Sequence, residues 1–278
     1  MNDITIIIIT YKSENVIYDF IKKIPPGLKT IIVENSQNYE LKKDIEKKYK
    51  NISLFIKEND GVGSALNFAV DKIKTKYFLQ ISPDIQFNFK DLEIFYTHAK
   101  KINNNFAALG PRFLNVNKKS HKQINEKLES GEINYIHGSC MFINKENFEI
   151  IGKFNENFFL YFEETEYCFR AKKKGYKVFQ INTIKVESKG RSVEIIENEN
   201  NRISNILIWH FIWSKFYFTK LRYGKTISII IFIPLIIRII LRLSFYKIIK
   251  DEKKHEKYKF RLSGLINSIL EKKSGLRP

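Results

Sequence analysis

Three carboxylates cluster at Phe162-Glu163-Glu164-Thr165-Glu166, opening a candidate helix directly after the aromatic run 158–162. Acids in a first helical turn complement the helix dipole, which alone would explain them. Apolar neighbours add a second effect, because low-dielectric surroundings raise a carboxylate pKa and suit it to general-base work. Two further stretches could meet a phosphorylated ligand. Glu58-Asn59-Asp60-Gly61-Val62-Gly63 leads into a helix carrying Asn67. Its glycines permit close backbone approach to a helix N-terminus, where amides and dipole favour phosphate. A plain strand-to-helix turn has the same composition. Ser82-Pro83-Asp84-Ile85 follows an apolar run. An Asp there could reach a divalent metal on a diphosphate, or simply form a Pro-Asp turn.

The elements that must position these groups alternate in type. Residues 4–10 are a continuous β-branched run of the kind buried on both faces of a parallel sheet. Strands are expected at 30–33, 52–56 and 77–81, with helices at 13–23, 41–49 and 64–73 between them. This β-α-β alternation predicts a doubly wound α/β sheet, with ligands beyond the carboxyl ends of the strands. The pattern then loosens. Strands are expected at 107–109, 139–143 and 177–181, helices at 145–151 and 165–174, and a flexible polar loop at 115–132.

The 278-residue chain is 44% apolar and 14% aromatic, which excludes general disorder. Its +18 charge is unevenly placed: residues 202–278 hold 17 Lys/Arg against 4 Asp/Glu, or +13, leaving +5 for the first 201. A basic tail on a near-neutral body implies a local anionic partner, lipid or nucleic acid. Cys140 and Cys168 have neither metal spacing nor a disulfide framework, which fits a reducing cytosol. The N-terminal run lacks a basic flank and a cleavage site, and reads as a strand rather than a signal peptide.

An aromatic-rich helix is expected at 203–221, carrying Trp209 and Trp213. The almost wholly apolar run 227–237 follows, then Arg238 and Arg242. Eleven residues fall short of the roughly 20 needed to cross a bilayer, so an in-plane or re-entrant membrane helix is expected. The other possibility is a buried helix packed on the body. Nucleic acid is not an expected partner, because the aliphatic run would be wasted on phosphate contacts.

Taken in order, these pieces resemble the inverting glycosyltransferases of family 2, with the GT-A fold, and especially their rhamnosyltransferase-like branch. The correspondence runs from Ile4 to about Ser192, with an echo at 214–224. Ile9-Thr10-Tyr11 looks like the family's opening strand end, and Val33-Glu34-Asn35-Ser36 like its Val-Asp-Asn-Ser, whose acid meets the nucleotide base. Asn59-Asp60-Gly61-Val62-Gly63 with Asn67 resembles its Asn-x-Gly loop. Ser82-Pro83-Asp84 stands where the family has Asp-x-Asp, or Asn-Pro-Asp in this branch. His137-Gly138-Ser139-Cys140-Met141-Phe142 resembles the strand before the acceptor side. Phe162-Glu163-Glu164-Thr165-Glu166 is similar to the Glu-Asp-x-Asp that contains the catalytic base.

The resemblance implies a GT-A mixed sheet flanked by helices at 1–200, and a helical, membrane-associating extension at 201–278. It implies transfer of a sugar from a nucleoside diphosphate to a glycan or lipid-linked acceptor in cell-surface polysaccharide synthesis. dTDP-rhamnose is the favoured donor, followed by UDP-hexoses. Thr10, Tyr11, Glu34, Asn59, Gly61, Asn67, Ser82 and Asp84 would hold the nucleotide sugar, with Asp84 on Mg²⁺ or Mn²⁺. Gly138, Ser139 and Glu166 would line the acceptor side. Glu164 would be the base and Glu163 the second choice, since adjacent carboxylates look alike in a sequence. The protein would work in the cytoplasm, on the inner face of the membrane and in contact with its anionic surface. Three positions depart from the family pattern: Glu164 replaces Asp, Ser82 removes a potential metal ligand, and Glu187 in the 186–192 element replaces a His. These departures leave a non-catalytic sugar-nucleotide-binding relative as the first alternative, and a nucleic-acid-binding protein using the basic tail as the second.

Overall fold

The computed structural model describes residues 2–115, 122–190 and 200–278. Two compact units divide the chain: Met1–Asn155 with Glu163–Glu194, and Glu156–Phe162 with Ile195–Pro278. A single cut at 200 therefore does not describe the division, because an internal segment groups with the C-terminal helices.

The first unit runs β1 (Ile4–Thr10), α1 (Glu14–Ile21), β2 (Lys29–Glu34), α2 (Tyr39–Lys48), β3 (Ile52–Ile56), α3 (Val62–Lys72), β4 (Tyr77–Ile81) and β5 (Ile85–Gln86). It continues with α4 (Leu92–Lys101), β6 (Phe106–Phe113), β7 (Ser130–Glu132), β8 (Cys140–Asn144), α5 (Lys145–Ile151), α6 (Glu163–Lys173) and β9 (Lys177–Ser188). The strand order is β3-β2-β1-β4-β8-β6-β9-β5, with β7 beside β9. The first four strands are parallel, as the alternation predicted, and β8 then enters antiparallel to both β4 and β6. The sheet is mixed.

Both faces are covered. Ile4, Ile6 and Ile8 point into one apolar cluster with Phe95 and Phe142, and Ile7 points into another with Phe78, Phe148 and Tyr167. This two-sided burial is why β1 reads as an unbroken apolar run.

Four local readings differ from the structure. α4 was not foreseen. β6 and β9 extend well beyond 109 and 181. Part of the expected flexible loop is ordered: Gln123 exchanges 2.9 Å hydrogen bonds with both the N–H and the C=O of Phe113, and β7 pairs with β9. Residues 116–121 of that loop, and Arg191 and Ser192 of the 186–192 element, lie outside the described residues.

The second unit holds α7 (Asn200–Tyr223), α8 (Lys225–Ile248) and α9 (Glu252–Ile269). Gly224, at φ 81°, separates the first two. α7 and α9 approach closely through their backbones at Gly264. A Cβ on Gly264 would sit 2.6 Å from the Trp209 carbonyl, so only glycine permits that approach. Phe216, Phe232, Tyr258 and Leu265 fill the space between the helices. The 156–162 segment joins this unit through its rings: Phe158 lies 5.0 Å from Tyr217, Phe159 lies 4.6 Å from His210, and Phe162 lies 5.8 Å from Phe218. Its last two residues, Tyr161 and Phe162, are both left-handed, at φ 68° and 71°. Such a conformation costs on the order of 1–3 kcal/mol per residue and persists only where packing enforces it.

The run 227–237 is longer in the structure than in the sequence reading, because it is part of the 24-residue α8. Among the described residues, α8 is the one helix long and apolar enough to cross a membrane by length and composition. Ser228, Phe232 and Ile239 are buried, while Ile227, Ile230, Ile231, Ile237, Leu241, Phe245 and Ile248 are exposed.

Candidate active site

The carboxyl ends of β1, β2 and β4 bring the motif loops together. At β1, Thr10 is buried in register with Glu34 of β2, and its carbonyl accepts from Asn35 N–H at 2.9 Å. Tyr11 N–H donates to Ser13 Oγ at 3.3 Å, turning the chain into α1.

Glu34 is 1% exposed, and its carboxylate is committed to its own loop. Oε1 accepts from Ser36 N–H at 2.8 Å and from the Ser36 hydroxyl, and Oε2 accepts from Asn38 N–H at 2.7 Å. These bonds fold the carboxylate back onto residues 36–38, where it shapes the loop. Its neighbour Asn35, which the sequence reading passed over, is buried with Oδ1 unpartnered. Nothing local in the sequence marks that atom as open.

The α3 loop behaves as its glycines suggest. Gly61 precedes the helix at φ 105°, a conformation that L side chains rarely adopt. A Cβ on Gly63 would lie 3.3 Å from Phe154 Cβ and 3.8 Å from Glu163 Cβ, so the start of α3 lies against the start of α6. Asn59 is half-buried on this loop. Asn67 has a different task from the one expected: Nδ2 donates to Phe154 O and Oδ1 accepts from Phe154 N–H, both at 3.0 Å. Its amide holds the stretch before the aromatic segment in place.

At β4, Ser82 N–H donates to Ser139 O at 2.9 Å, so the Ser82-Pro83-Asp84 turn and the Gly138-Ser139 turn lie side by side. Asp84 is buried, and its Oδ2 accepts from the Ser188 hydroxyl at 2.6 Å. Burial raises the Asp84 pKa, and the Ser188 hydrogen bond works in the opposite direction. Ser188 is brought there by β5, which pairs Ile85 with Ser188. It lies one residue after Glu187 in the element that departs from the family pattern.

The base position lies beyond Ser139. A Cβ on Gly138 would meet Glu164 Cγ at 3.3 Å and Cδ at 3.5 Å. Glycine there leaves room for the longer acid. Glu164 is half-buried, accepts from Thr165 Oγ1 at 3.1 Å, and has a pKa raised chiefly by burial. Its charge contributes to raising the Tyr135 pKa, after burial, which places that ring nearby. Glu163 is only 8% exposed and its Oε2 has no partner. Burial, and then the adjacent Glu164, push its pKa well up. The two acids are therefore distinguishable: Glu163 is an interior group whose burial disfavours its charged form, and Glu164 faces the Gly138-Ser139 turn. His137 stands at that turn with Nδ1 2.5 Å from Ser139 Oγ, and burial lowers its pKa.

Glu166 is corrected. Arg170 grips it with Nε on Oε1 at 2.9 Å and Nη2 on Oε2 at 3.0 Å. The same guanidinium donates to the carbonyls of Ile151, Gly152 and Lys153. Its carboxylate is thus engaged in pinning the α5–α6 connection and is not open to an acceptor.

A divalent cation fits this donor set only in a limited way. Among the described residues no three His, Cys, Asp or Glu side chains cluster. Asp84 supplies one carboxylate. A hard cation of the Mg²⁺ type commonly takes one or two carboxylates and completes its shell with phosphates and water, which one Asp can support.

The sequence pattern described as glycosyl transferase family 2 matches residues 5–168, more than half of the chain. The chain is 28% identical over 207 residues to the low-salt glycan biosynthesis hexosyltransferase Agl10 of Haloferax volcanii, covering 66% of each protein. It is 26% identical over 176 residues to the dTDP-rhamnosyl transferase RfbF of Shigella flexneri, covering 56% of this chain and 58% of that one. It thus spans less than two thirds of the length of either relative. The mannosyltransferase PcManGT of Pyrobaculum calidifontis, solved with GDP-Man and Mn²⁺, matches with a TM-score of 0.59 at 12% identity, over 98% of this chain and 88% of that one. That likeness concerns the fold, and it bears out the GT-A expectation. With the match covering every element from β1 to the first turns of α6, this chain belongs to glycosyl transferase family 2.

Proposed function

We propose that this chain is an inverting glycosyltransferase that moves a sugar from a nucleoside diphosphate to a hydroxyl of a glycan or lipid-linked acceptor. The observation that carries the reading is the chain of contacts from Asp84 through Ser82 and Ser139 to Gly138 and Glu164. It sets a diphosphate-side acid and a half-buried base on either side of one turn.

In this mechanism Glu164 accepts the proton of the acceptor hydroxyl. The acceptor oxygen bonds to the anomeric carbon as the bond from that carbon to the diphosphate oxygen breaks, and the diphosphate leaves with the electron pair. Asp84 would hold Mg²⁺ or Mn²⁺, which when bound stabilises negative charge on the departing group. The N-terminus of α3 is where diphosphate oxygens would be favoured. Asn35 Oδ1 offers a buried acceptor to a donor group on the nucleobase, beside the loop that Glu34 shapes.

dTDP-rhamnose is the first donor to test and UDP-hexoses the second, a choice supported by the likeness to RfbF and to a hexosyltransferase. The acceptor belongs to cell-surface glycan synthesis. The second unit would hold the protein on the cytoplasmic, anionic face of the membrane, with α8 lying in the plane. A span would carry Arg238 and Arg242 into the bilayer, at about 2.5–3.5 kcal/mol for an Arg near a helix centre. The single carboxylate at Asp84, with Ser82 beside it, is the observation that favours a non-catalytic donor-binding relative instead.

Donor hydrolysis and transfer, measured with and without Mn²⁺, decide between the two readings. Metal-dependent release of nucleoside diphosphate that is lost in Glu164→Gln supports the enzyme. Donor binding without turnover in any metal supports the alternative.

A further inference from the structure

Lys215 and Thr219 of α7 face Ile231, Phe232, Pro234, Leu235 and Arg238 of α8 across a groove of about 300 Å³. Four of these seven residues are apolar, and the two cations flank them. Thr219 Oγ1 is engaged by the Lys215 carbonyl at 2.8 Å, so Lys215 and Arg238 are the polar groups with capacity left for a ligand. Among the described residues neither cation pairs with a carboxylate. Lys220 and Lys225 nearby, by contrast, both pair with Glu271. The groove also continues onto a lipid-compatible surface. Ile227, Ile231, Pro234, Arg238, Leu241 and Phe245 follow helical three- and four-residue spacing along one exposed stripe of α8.

We infer that this groove binds the phosphate of a membrane amphiphile, seated between Lys215 and Arg238, with the first carbons of its chain along Ile231, Pro234 and Leu235. The inference rests on the membrane-surface reading given above and adds a defined site to it. A volume near 300 Å³ is at the small end for ligand pockets and suits a phosphate with a few methylenes rather than a whole lipid. A free phosphate would lose hydration against four apolar side chains and gain no apolar burial in return. The charge pattern selects an anion, and the lining selects one attached to a hydrocarbon.

The test is flotation of the full chain with three vesicle types: phosphatidylcholine alone, phosphatidylcholine with phosphatidic acid, and phosphatidylcholine with oleate at matched surface charge. At about fivefold per cation, two cations converging on one phosphate should favour phosphatidic acid over oleate by about 25-fold. K215A/R238A should abolish that preference. K247A/K257A removes the same charge from other exposed positions. It should weaken binding to both anionic vesicles alike and keep the preference. A preference that survives K215A/R238A, or binding that does not distinguish oleate from phosphatidic acid, overturns the groove assignment while leaving membrane association standing. Absence of binding to all three vesicles overturns both. Loss of the preference in 10 mM inorganic phosphate would assign the site to free phosphate and overturn the lipid assignment.

Discussion

Replacing Glu163 and Glu164 separately by Gln tests the central distinction drawn at the start of α6. Glu164→Gln keeps the shape but removes the proton acceptor, and loss of a general base costs on the order of 10²–10⁴-fold. That is about 3–5 kcal/mol of transition-state stabilisation, at about 1.4 kcal/mol per tenfold. Glu163→Gln should leave transfer within about tenfold of the parent, because its carboxyl is 8% exposed. Its signature should appear in stability instead. Burial raises the folded-state pKa of Glu163 well above the unfolded value. The protonated form is thus the one the fold accommodates. That contribution is complete below the unfolded pKa, near 4.3, and is lost as pH climbs through the folded pKa. Glu163→Gln has no such loss, so its melting temperature should exceed the parent's by a margin that widens from pH 5 to pH 9. An unpartnered buried polar atom is worth about 1–3 kcal/mol, and each kcal/mol corresponds to about 2–4 °C in a unit of this size. The assays are transfer rates at saturating donor and thermal melts across that pH range. Parent-like transfer by Glu164→Gln alongside inactive Glu163→Gln would falsify the assignment, as would a stability margin that shrinks with pH.

Three further outcomes are expected. Glu166→Gln should lower stability by about 1.5–3 kcal/mol through loss of the charged Arg170 pair, with KM for donor and acceptor nearly unchanged in melts and kinetics run in parallel. An acceptor KM that rises tenfold would return Glu166 to the acceptor side. Asp84→Asn should weaken Mn²⁺-dependent donor binding in calorimetry more than it shifts the melt; unchanged donor affinity in excess chelator would separate Asp84 from any metal. Asn35→Leu should raise donor Kd by about tenfold if Oδ1 accepts a hydrogen bond from the nucleobase, and leave it unchanged if that atom faces no ligand.

The first four strands were legible because each is a short apolar run with its own helix, and parallel order follows from connections of that length. The position of β8 between β4 and β6 was not, since no local pattern states which strand a segment will pair with. α9 was read only as part of the basic tail, because its apolar residues, among them Tyr258, Leu262 and Leu265, are interspersed with charge. In the site, the acidic start of α6 was visible as a cluster. Asn67 was misread because its partner, Phe154, lies 87 residues away. Glu166 could have been read better: Arg170 is four residues on, the spacing at which helical side chains pair. Asn35 and Ser188 became visible only through geometry, one as an open acceptor and the other through the pairing of β5 with β9.

The division of the chain also bears on how such proteins can recombine. Phe158, Phe159 and Phe162 pack on α7, yet the next residue in the chain is Glu163. A chimera that exchanged only residues 200–278 for the helices of a relative would leave those rings facing foreign partners. The left-handed pair Tyr161 and Phe162, held by that packing, would be released one peptide bond from the start of α6. Functional exchange of the C-terminal helices therefore requires transplanting residues 156–162 with them. Substitutions in this short segment should track those in α7 more closely than those in the sheet on which the rest of the site is built.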